Sequence, residues 1–321
     1  MRFLIVGLGS IGERHLKNLF SIGESDIIGV EIDKNRRNYI IKEYKIDVFQ
    51  NLEDALNQKL DACFVCTPPV SHVPIALEAA KAGCNLFIEK PISHDINDDL
   101  TKLEEIIEKK NLICMVGYNH RFNKGILRLK EISKSNVFGN IVYIRAEVGQ
   151  DLPSWRPWVD YRMSYTAKKE MGGGIILDAS HEIDYTIWLI DDTISSVKSY
   201  YNKLSNLEVG AEDIAEVLII FKNAYASIHM NMIERNYNRY CKIISDSGNW
   251  AIYNFGTREL VYSINGCHFK EVYENYDINQ TYLDEIKHFI SCIKSNSMPV
   301  SNLKTAKETL KVCLMAKYGD K

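Results

Sequence analysis

The feature that most constrains the fold is a set of three glycines near the start of the chain. Gly7, Gly9 and Gly12 lie in GLGSIG, between the apolar run RFLIV and an amphipathic stretch. Glycines at this spacing, after a strand and before a helix, allow a tight turn whose backbone N–H groups can approach a pyrophosphate. The pattern predicts a parallel α/β unit that binds a dinucleotide, if strands and helices continue to alternate after it.

Strand-like and helix-like segments do alternate over the first third of the chain. The strand-like runs RFLIVG, DIIGVEI, DACFVCT, NLFIEKP and LICMVGYN are separated by helical patterns such as HVPIALEAAKAG. Strands joined by helices form parallel sheets that are covered on both faces. We therefore predict an α/β fold in which a doubly wound Rossmann sheet forms a first domain over residues 1–119.

After about residue 120 the pattern changes. The strand-like run GNIVYIRAEVGQ comes first, and one helix is predicted over GGGIILDASHEIDYTIWLI. Four further strand-like runs then follow without helices between them: ISSVKSYYNKL, DIAEVLIIFK, AYASIHMNMI and RYCKIISDSGNWAIYNF. Consecutive strands indicate antiparallel pairing. We predict a second, α+β domain over residues 120–321 with a mostly antiparallel, open sheet. The sequence predicts two terminal helices, at about 282–295 and 303–318, and leaves open whether they pack on the first domain.

Composition argues against several classes of partner. The 39 basic and 42 acidic residues give a net charge of −3, which offers no electrostatic reason to bind nucleic acid or an acidic membrane. No apolar run is long enough to span a bilayer, and Met1 leads directly into a strand-like segment rather than a signal peptide. The eight cysteines are scattered, and Cys63 and Cys66 point to opposite faces of a strand, which argues against a shared metal. We expect a cytoplasmic protein with reduced thiols and no metal.

An acidic residue near the end of the second strand is expected to bind the adenosine ribose of the dinucleotide. Glu31 continues the strand alternation to the carboxyl end, and Asp33 is the alternative. A carboxylate at this place repels a 2′-phosphate, which favours NAD. Arg36 and Arg37 follow closely and keep NADP as an alternative.

Two further strand ends carry residues suited to chemistry. The prolines of TPPVSH, from Thr67 to His72, are expected to hold an extended loop over the cofactor. EKP, from Glu89 to Pro91, follows the next strand, so Lys90 points to the edge of the sheet where ligands bind. An ammonium group there can hydrogen-bond to a substrate oxygen.

Five motifs in this order resemble the glucose–fructose oxidoreductase, inositol dehydrogenase and MocA (Gfo/Idh/MocA) family of NAD(P)-dependent oxidoreductases. They are GLGSIGERH, TPP followed by His, EKP, GYNHRF and GGGIILDASHEIDYTIWL. The resemblance implies hydride transfer between nicotinamide and a secondary alcohol or ketone. It also implies that Lys90 is catalytic, that His181 accepts and donates the proton, and that Asp178 positions the substrate. The predicted cofactor contacts are Gly7, Gly9, Ser10, Ile11, Gly12, Glu31, Asp33, Arg36, Thr67, Pro68, His72, Glu89, Lys90 and Asn119.

The helix that carries the histidine departs from the family pattern. The family usually has three residues between the aspartate and the histidine, whereas Asp178 and His181 have two. Asp184 and Trp188 keep the register, so His181 is the match. The residue that partners His181, Asp178 or Glu182, is left open.

The segment DLPSWRPWVDYRMSY is expected to bind the substrate. Its aromatic rings can stack on sugars, and its arginines can bind carboxylate or phosphate. The predicted substrate contacts are Lys90, Arg121, Trp155, Arg156, Tyr161, Arg162, Asp178 and His181, with Trp158 and Tyr165 as further aromatic candidates. We predict a small anionic carbohydrate substrate, either a nucleotide sugar or a sugar acid, because the segment resembles those of bacterial surface-carbohydrate enzymes.

The sequence leaves two other functions open for this protein, and it also permits one kind of assembly. A free polyol or inositol dehydrogenase of the same family would have no need of the arginines, and a non-catalytic NAD-binding regulator would have no need of Lys90 and His181. The alternation in EVLIIF and SIHMNM also permits a homodimer or homotetramer through the second-domain sheet.

Overall fold

The computed structural model describes residues 1–95, 97, 99–155 and 157–319. Its contacts divide the chain into two compact units. The first unit comprises Met1–Asn119 and Asn279–Lys307, and the second comprises His120–Ile278 with the chain from Glu308 onward. None of the helices in these described ranges combines the length and the hydropathy that crossing a bilayer requires.

The helices and strands follow one another in a fixed order along the chain. Short 3-10 turns are omitted from this sequence of elements: β1 (Phe3–Val6), α1 (Ser10–Ser21), β2 (Ile27–Val30), α2 (Lys34–Tyr44), β3 (Val48–Phe49), α3 (Leu52–Leu56), β4 (Ala62–Val65), α4 (His72–Lys81), β5 (Asn85–Ile88), α5 (Leu100–Lys110), β6 (Cys114–Val116), α6 (Lys124–Ser133), β7 (Ile141–Gly149), α7 (Leu152–Trp155), α8 (Ile175–Asp178), α9 (Ser180–Ile190), β8 (Ile194–Asn202), β9 (Ile214–Phe221), β10 (Tyr225–Asn231), β11 (Asn238–Ser245), β12 (Trp250–Asn254), β13 (Glu259–Ile264), β14 (Cys267–Val272), α10 (Asn279–Ser295) and α11 (Leu303–Tyr318).

The first unit contains a six-stranded sheet in the order β3-β2-β1-β4-β5-β6, and every strand pair in it is parallel. This confirms the doubly wound sheet that the alternation predicts. Nearly every residue of β1, β2, β4, β5 and β6 is buried, which is why these strands read as unbroken apolar runs. The strand order reverses between β1 and β4, and ligands bind at such a point, beyond the carboxyl ends of the strands.

Helix α10 belongs to the core of this first unit, although it lies near the other end of the sequence. Asn279 donates to Asn18 of α1 across 2.9 Å. The rings of Phe64 and Phe87 stack at 4.8 Å, and Phe289 of α10 meets each of them edge-on at 5.7 Å. Burial of three aromatic rings therefore fixes α10 against strands β4 and β5.

The second unit contains an eight-stranded sheet in the order β14-β13-β12-β11-β7-β10-β9-β8. All of its pairs are antiparallel except β7 with β10, which is parallel. The mostly antiparallel sheet is confirmed. Strands β13 and β14 were not predicted, and the run RYCKIISDSGNWAIYNF forms two strands joined by a turn. Helices α6, α8 and α9 pack on one face.

The single helix predicted over GGGIILDASHEIDYTIWLI is wrong. The chain forms α8 and α9, and the backbone leaves the helical conformation at Ala179, whose φ is −91° and ψ is 26°. Asp178 ends α8 with its carboxylate bound to Tyr165 and Thr166 of the preceding segment. That tertiary anchor competes with continuation of the helix, and periodicity alone does not reveal it.

Candidate active site

The glycine turn has the shape that a dinucleotide needs. Gly7 has a φ of +86°, and a Cβ atom there would lie 2.9 Å from the Cys66 carbonyl oxygen. A Cβ on Gly12 would lie 1.9 Å from the Gly7 carbonyl oxygen, so α1 packs directly on the turn. By contrast, a Cβ on Gly9 would meet nothing within 4 Å. Two of the glycines therefore serve close packing, and the third leaves space above the turn.

The N-terminus of α1 opens onto that space. Gly9 is the N-cap residue, and no side chain caps the helix. The first N–H groups of a helix lack intrahelical partners and favour a negative charge. The residues present therefore fit a dinucleotide pyrophosphate at Gly9, Ser10 and Ile11.

The two candidate acids at the end of β2 have different environments. Asp33 caps α2 by accepting from the Arg36 backbone N–H across 2.7 Å. Glu31 accepts from the backbone N–H groups of Leu8 and Asp33, at 2.9 Å and 3.0 Å. Asp33 thus has a structural role in α2, whereas Glu31 is held directly beside the glycine turn.

Arg36 is paired with a carboxylate. Its guanidinium donates to the Leu8 carbonyl oxygen at 2.6 Å and to Glu13 at 2.5 Å. Burial raises the pKa of Glu13, but hydrogen bonds from Tyr44 and Arg36 among others outweigh it and lower the value to about 2. Arg37 donates to two backbone carbonyl oxygens and to a glutamine. Arg36 is therefore neutralised by Glu13, whereas the acceptors bound by Arg37 are uncharged.

His72 ties two loops together. Its Nδ1 lies 2.8 Å from the Pro91 carbonyl oxygen and its Nε2 lies 2.6 Å from the Thr67 carbonyl oxygen. The ring is buried, and burial lowers the pKa of His72. Through these contacts His72 holds the loop at Thr67 and Pro68 beside Pro91, and its own contact with the cofactor stays a prediction.

Glu89 and Asn119 are likewise occupied inside the first unit. Glu89 lies 2.7 Å from His15 Nε2, and Asn119 donates to Thr281 at 2.7 Å. Both side chains are buried and make these internal contacts, and their contacts with the cofactor stay predictions. Lys90, the next residue after Glu89, is only half-buried and is the polar side chain that this strand end presents.

Asp178 is held rigidly in the second unit. One carboxylate oxygen accepts from the Tyr165 hydroxyl at 2.8 Å, and the other accepts from the Thr166 hydroxyl at 2.7 Å. Tyr165 is the last residue of the segment that sequence analysis assigns to substrate binding, and Thr166 follows it. That segment is therefore anchored on the residue before the break between α8 and α9.

His181 lies in the first turn of α9 beside a second histidine. Its ring centroid is 4.5 Å from that of His120, and the two planes are inclined by 50°. His120 in turn lies 5.2 Å from the Phe255 ring. Sequence analysis did not select His120. The signal was available, because His120 lies in the GYNHRF motif.

The other acids of α9 are committed to buried ion pairs. Glu182 binds Arg239 through two hydrogen bonds of 2.6 Å and 2.8 Å. Asp184 binds Arg121 through two bonds of 2.8 Å. Arg121 therefore has a structural ion pair, its predicted contact with the substrate stays a prediction, and Glu182 is fixed by Arg239. Of the two acids left open as the partner of His181, Glu182 is bound by Arg239, and Asp178 accepts from the Tyr165 and Thr166 hydroxyls.

Polar side chains of the predicted substrate segment are bound to other groups of the protein. Trp155 donates to the Gln150 carbonyl oxygen at 3.1 Å, and the Tyr161 hydroxyl accepts from the Glu208 backbone N–H. Arg162 pairs with Asp160 and Glu208. Trp158 is 75% exposed. Arg156 lies outside the described residues.

The comparison with family models identifies the chain. Residues 1–118 match the model described as "Oxidoreductase family, NAD-binding Rossmann fold", and residues 126–251 match the GFO/IDH/MocA C-terminal domain. The two matches together cover more than half of the sequence. The chain belongs to the Gfo/Idh/MocA family. It is therefore an NAD-binding oxidoreductase, as its motifs predict.

Relatives within the Gfo/Idh/MocA family share the fold along the whole chain. The chain is 26% identical to myo-inositol 2-dehydrogenase of Thermotoga maritima, covering 100% of this chain and 95% of the relative. The structure of UDP-N-acetylglucosamine 3-dehydrogenase from Acidithiobacillus ferrooxidans has a TM-score of 0.82 at 19% identity and covers 99% of this chain and 97% of its own. Levoglucosan dehydrogenase, solved with NADH and levoglucosan, has a TM-score of 0.88 at 16% identity, covering 99% and 96%.

Proposed function

We propose that this protein is an NAD-dependent dehydrogenase that oxidises a secondary alcohol of a sugar derivative, or reduces the matching ketone. The observation that carries the proposal is the glycine turn, which combines a helix N-terminus open at Gly9 with the Glu31 carboxylate beside it. When bound, NAD supplies the carbon that accepts or returns the hydride.

Glu31 is the residue we assign to the adenosine ribose. Its carboxylate can accept hydrogen bonds from the ribose hydroxyls, and Asp33 is occupied as a helix cap. The carboxylate also disfavours a 2′-phosphate. Arg36 cannot offset that repulsion, because Glu13 already neutralises it. These contacts support NAD over NADP.

Lys90 and His181 are the residues we assign to the reaction itself. The Lys90 ammonium donates a hydrogen bond to the reacting oxygen and stabilises the negative charge that develops on it. The His181 imidazole accepts the hydroxyl proton during oxidation and returns it during reduction. Asp178 positions the substrate, since its carboxylate is fixed by Tyr165 and Thr166. His120 packs on the His181 ring and limits its rotation.

The first substrate candidate is an anionic carbohydrate, a nucleotide sugar or a sugar acid, of the kind used in bacterial surface-carbohydrate synthesis. The exposed ring of Trp158 is a flat surface on which a sugar or a base can stack. Arg156, the neighbouring arginine, is the cation assigned by sequence alone. One structural relative carries a nucleotide sugar in its name.

A second candidate is a neutral cyclitol. It is favoured by a specific observation, since Arg121 and Arg162 are both already paired with carboxylates and offer little net charge to an anion. The relative that is 26% identical over the whole chain is named an inositol dehydrogenase.

A substrate panel distinguishes the two candidates and tests the proposal. NAD binding is measured first, by fluorescence titration. Nucleotide sugars, sugar acids and inositols are then assayed with NAD at the absorbance of reduced nicotinamide. Faster turnover of anionic sugars supports the first candidate, and faster turnover of inositols supports the second. A non-catalytic NAD-binding regulator would bind NAD and turn over none of them.

We further propose that the uncovered face of the second-unit sheet forms a homodimer or homotetramer. On β9 and β10 the apolar residues Val217 and Ile228 face the helices, whereas Leu218 and Tyr225 lie on the other face and are partly exposed. Ser227, also on that face, pairs with Leu218 across the strands. A sheet face with exposed apolar and aromatic residues favours association.

We assign the protein to the cytoplasm. All eight cysteines carry free thiols, and Cys267 is the one that is exposed. Thiols of this kind persist in a reducing compartment.

A further inference from the structure

Three ionisable side chains form a cluster in the first unit, and no step of the proposed reaction uses them. His15 of α1, Glu89 at the end of β5 and Glu285 of α10 place a nitrogen or oxygen atom each within 4.8 Å of one another. His15 and Glu285 are fully buried, and Glu89 is nearly so. One member of the cluster, Glu89, is the residue before Lys90 in the chain.

The surroundings of the cluster are dry and aromatic. The His15 ring lies 5.0 Å from Phe87, 5.5 Å from Phe64 and 6.1 Å from Tyr282, measured between ring centroids. In such a medium an ionised carboxylate needs a cation or several hydrogen-bond donors. Glu89 has hydrogen-bond partners, because His15 Nε2 lies 2.7 Å from one of its oxygens and the Lys90 backbone N–H lies 3.2 Å from the other.

Glu285 has none of these partners. Both of its carboxyl oxygens are buried and make no hydrogen bond to the described residues. Burial raises the pKa of Glu285 well above its ordinary value, and the negative charge of Glu89 raises it further. Burial raises the pKa of Glu89, but the hydrogen bond and electrostatic interaction with His15, together with the interactions with Lys90 and His72, outweigh burial and lower the value. These surroundings therefore favour a protonated Glu285 and an ionised Glu89.

A bound metal ion is the other way to neutralise such a cluster, and the geometry argues against it. His15 Nε2 and the nearest Glu89 oxygen are 2.7 Å apart, which is a hydrogen-bond distance. Two ligands of one tetrahedral zinc ion, each at about 2.0–2.1 Å from it, lie about 3.3 Å apart. The contact therefore fits a shared proton better than a shared ion.

We propose that Glu285 is a neutral carboxylic acid whose O–H group faces the Glu89 carboxylate, so that the cluster holds one negative charge and not two. The proton stays on Glu285, and its O–H group is directed at the ionised Glu89, which keeps its contacts with His15 and the Lys90 backbone. Glu285 is then a positioning residue. It couples α10 to the strand end that carries Lys90, and that last step rests on the role proposed for Lys90.

The proposal has a consequence for the dependence of stability on pH. The titratable groups that face Glu285 are His15, Cys66 and Glu89, and Lys90 and His72 act on Glu89. An acid whose pKa is higher in the folded state binds more protons folded than unfolded. Its contribution to stability is complete below the unfolded value and is lost as the pH rises towards the folded value. Glutamine mimics the neutral acid and cannot titrate, so Glu285→Gln removes this loss.

Thermal unfolding of the full chain without substrate tests the inference between about pH 6 and about pH 9. Glu285→Gln should unfold at the wild-type temperature or above it, and its advantage should grow as the pH rises. Glu89→Gln should unfold lower than wild type throughout, because it loses the ionised partner of His15. Glu105→Gln, a change of an exposed glutamate in the same unit, should parallel wild type.

Two results would overturn the inference. One is a fall in melting temperature for Glu285→Gln as large as that for Glu89→Gln. The other is a stoichiometric divalent metal in the purified protein that Glu285→Gln removes. If Glu89→Gln does not fold, the infrared carbonyl band of a protonated carboxylic acid replaces it as the readout. Wild type should show that band at neutral pH, and Glu285→Gln should lack it.

The positioning role has its own readout. Glu285→Ala should lower kcat more than it raises the KM for NAD, and Glu285→Gln should recover most of that loss. Equal losses in the two variants would contradict the positioning role. Failure of the role proposed for Lys90 would leave the unfolding results unchanged, so the two failures are distinguishable.

Discussion

At the residue scale, the glycine turn shows why one motif can be predicted from sequence while its individual positions cannot. The spacing of Gly7, Gly9 and Gly12 indicates a dinucleotide turn, but it treats all three positions alike. The structure separates them, because Cβ atoms on Gly7 and Gly12 would collide with backbone atoms and a Cβ on Gly9 would project into open space. Fold and ligand binding therefore depend on different glycines.

Substitution of these glycines should separate folding from NAD binding. Gly9→Ala should keep the wild-type melting temperature and lose NAD affinity, because the added methyl occupies space required by the pyrophosphate. Gly12→Ala should also lose about 1–3 kcal/mol of stability, since α1 must move away from the turn. Thermal unfolding and fluorescence titration measure the two effects. A Gly9→Ala variant with undiminished NAD affinity would contradict the assignment.

The two acids after β2 give a second pair of matched variants. Glu31→Gln should weaken NAD binding with little change in stability. Asp33→Ala should cost about 1 kcal/mol through loss of the α2 cap and should keep most of the NAD affinity. Titration and unfolding of both variants check this. The reverse pattern would show that Asp33, the alternative left open by the sequence, binds the ribose.

At the element scale, local patterns predict elements well where no tertiary contact competes with them. The helical pattern HVPIALEAAKAG contains α4, and the predicted bounds of the last helix, at about 303–318, match α11. The pattern fails at the break between α8 and α9, where the Asp178 carboxylate is bound by residues of another segment. It also cannot indicate that β7 pairs in parallel with β10, because that pairing depends on contacts distant in sequence.

Helix α9 depends on a buried ion pair. Arg121 and Asp184 are almost fully buried and share two hydrogen bonds. Removal of one partner leaves an unpaired buried charge, so Asp184→Asn should lower the free energy of unfolding by about 3–5 kcal/mol. Urea unfolding measures this. Glu170→Gln, at an exposed position in the same unit, serves as the control, and an equal loss in both variants would contradict the argument.

Helices α1 and α2 are joined by Glu13, and this contact predicts a dependence on acid. Burial raises the pKa of Glu13, but its partners lower the value to about 2. A carboxyl with a depressed pKa stabilises the fold above its unfolded value, near 4.5, and that contribution is lost as the pH falls towards about 2. Glu13→Gln should therefore be less stable than wild type at pH 7, and the difference should shrink on acidification. A constant difference in melting temperature would contradict this.

At the scale of the whole molecule, the fold class and the family can be predicted from the order of motifs along the chain. The partners that the site residues bind inside the protein cannot be predicted in this way. Lys90, His181 and Asp178 were selected by motif alone. Arg121 and Glu89 were selected in the same way, and the structure gives them Asp184 and His15 as partners. A motif indicates which residues are candidates for the site. The packing around each residue is needed to distinguish a ligand contact from a structural one.

The assembly proposed through the second-unit sheet is testable by a charge placed on that face. Tyr225 is 56% exposed and pairs with Tyr143 and Ile220 on neighbouring strands. Tyr225→Glu should convert an oligomer to a monomer while keeping the melting temperature of the isolated chain near that of wild type, because a buried interface does not accept an unpaired charge. Light scattering after size exclusion gives the mass. An unchanged mass would place the interface elsewhere.

The central claim is that one protein binds NAD at the glycine turn and uses Lys90 and His181 to oxidise a secondary alcohol of a sugar. The most direct measurement is the formation of reduced nicotinamide across the substrate panel, by wild type, Lys90→Met and His181→Asn. The account predicts turnover of at least one carbohydrate by wild type and a loss of about 10²–10⁴ in kcat for each variant, with NAD affinity retained. Wild-type turnover by either variant, or NAD binding without turnover of any panel member, would contradict it.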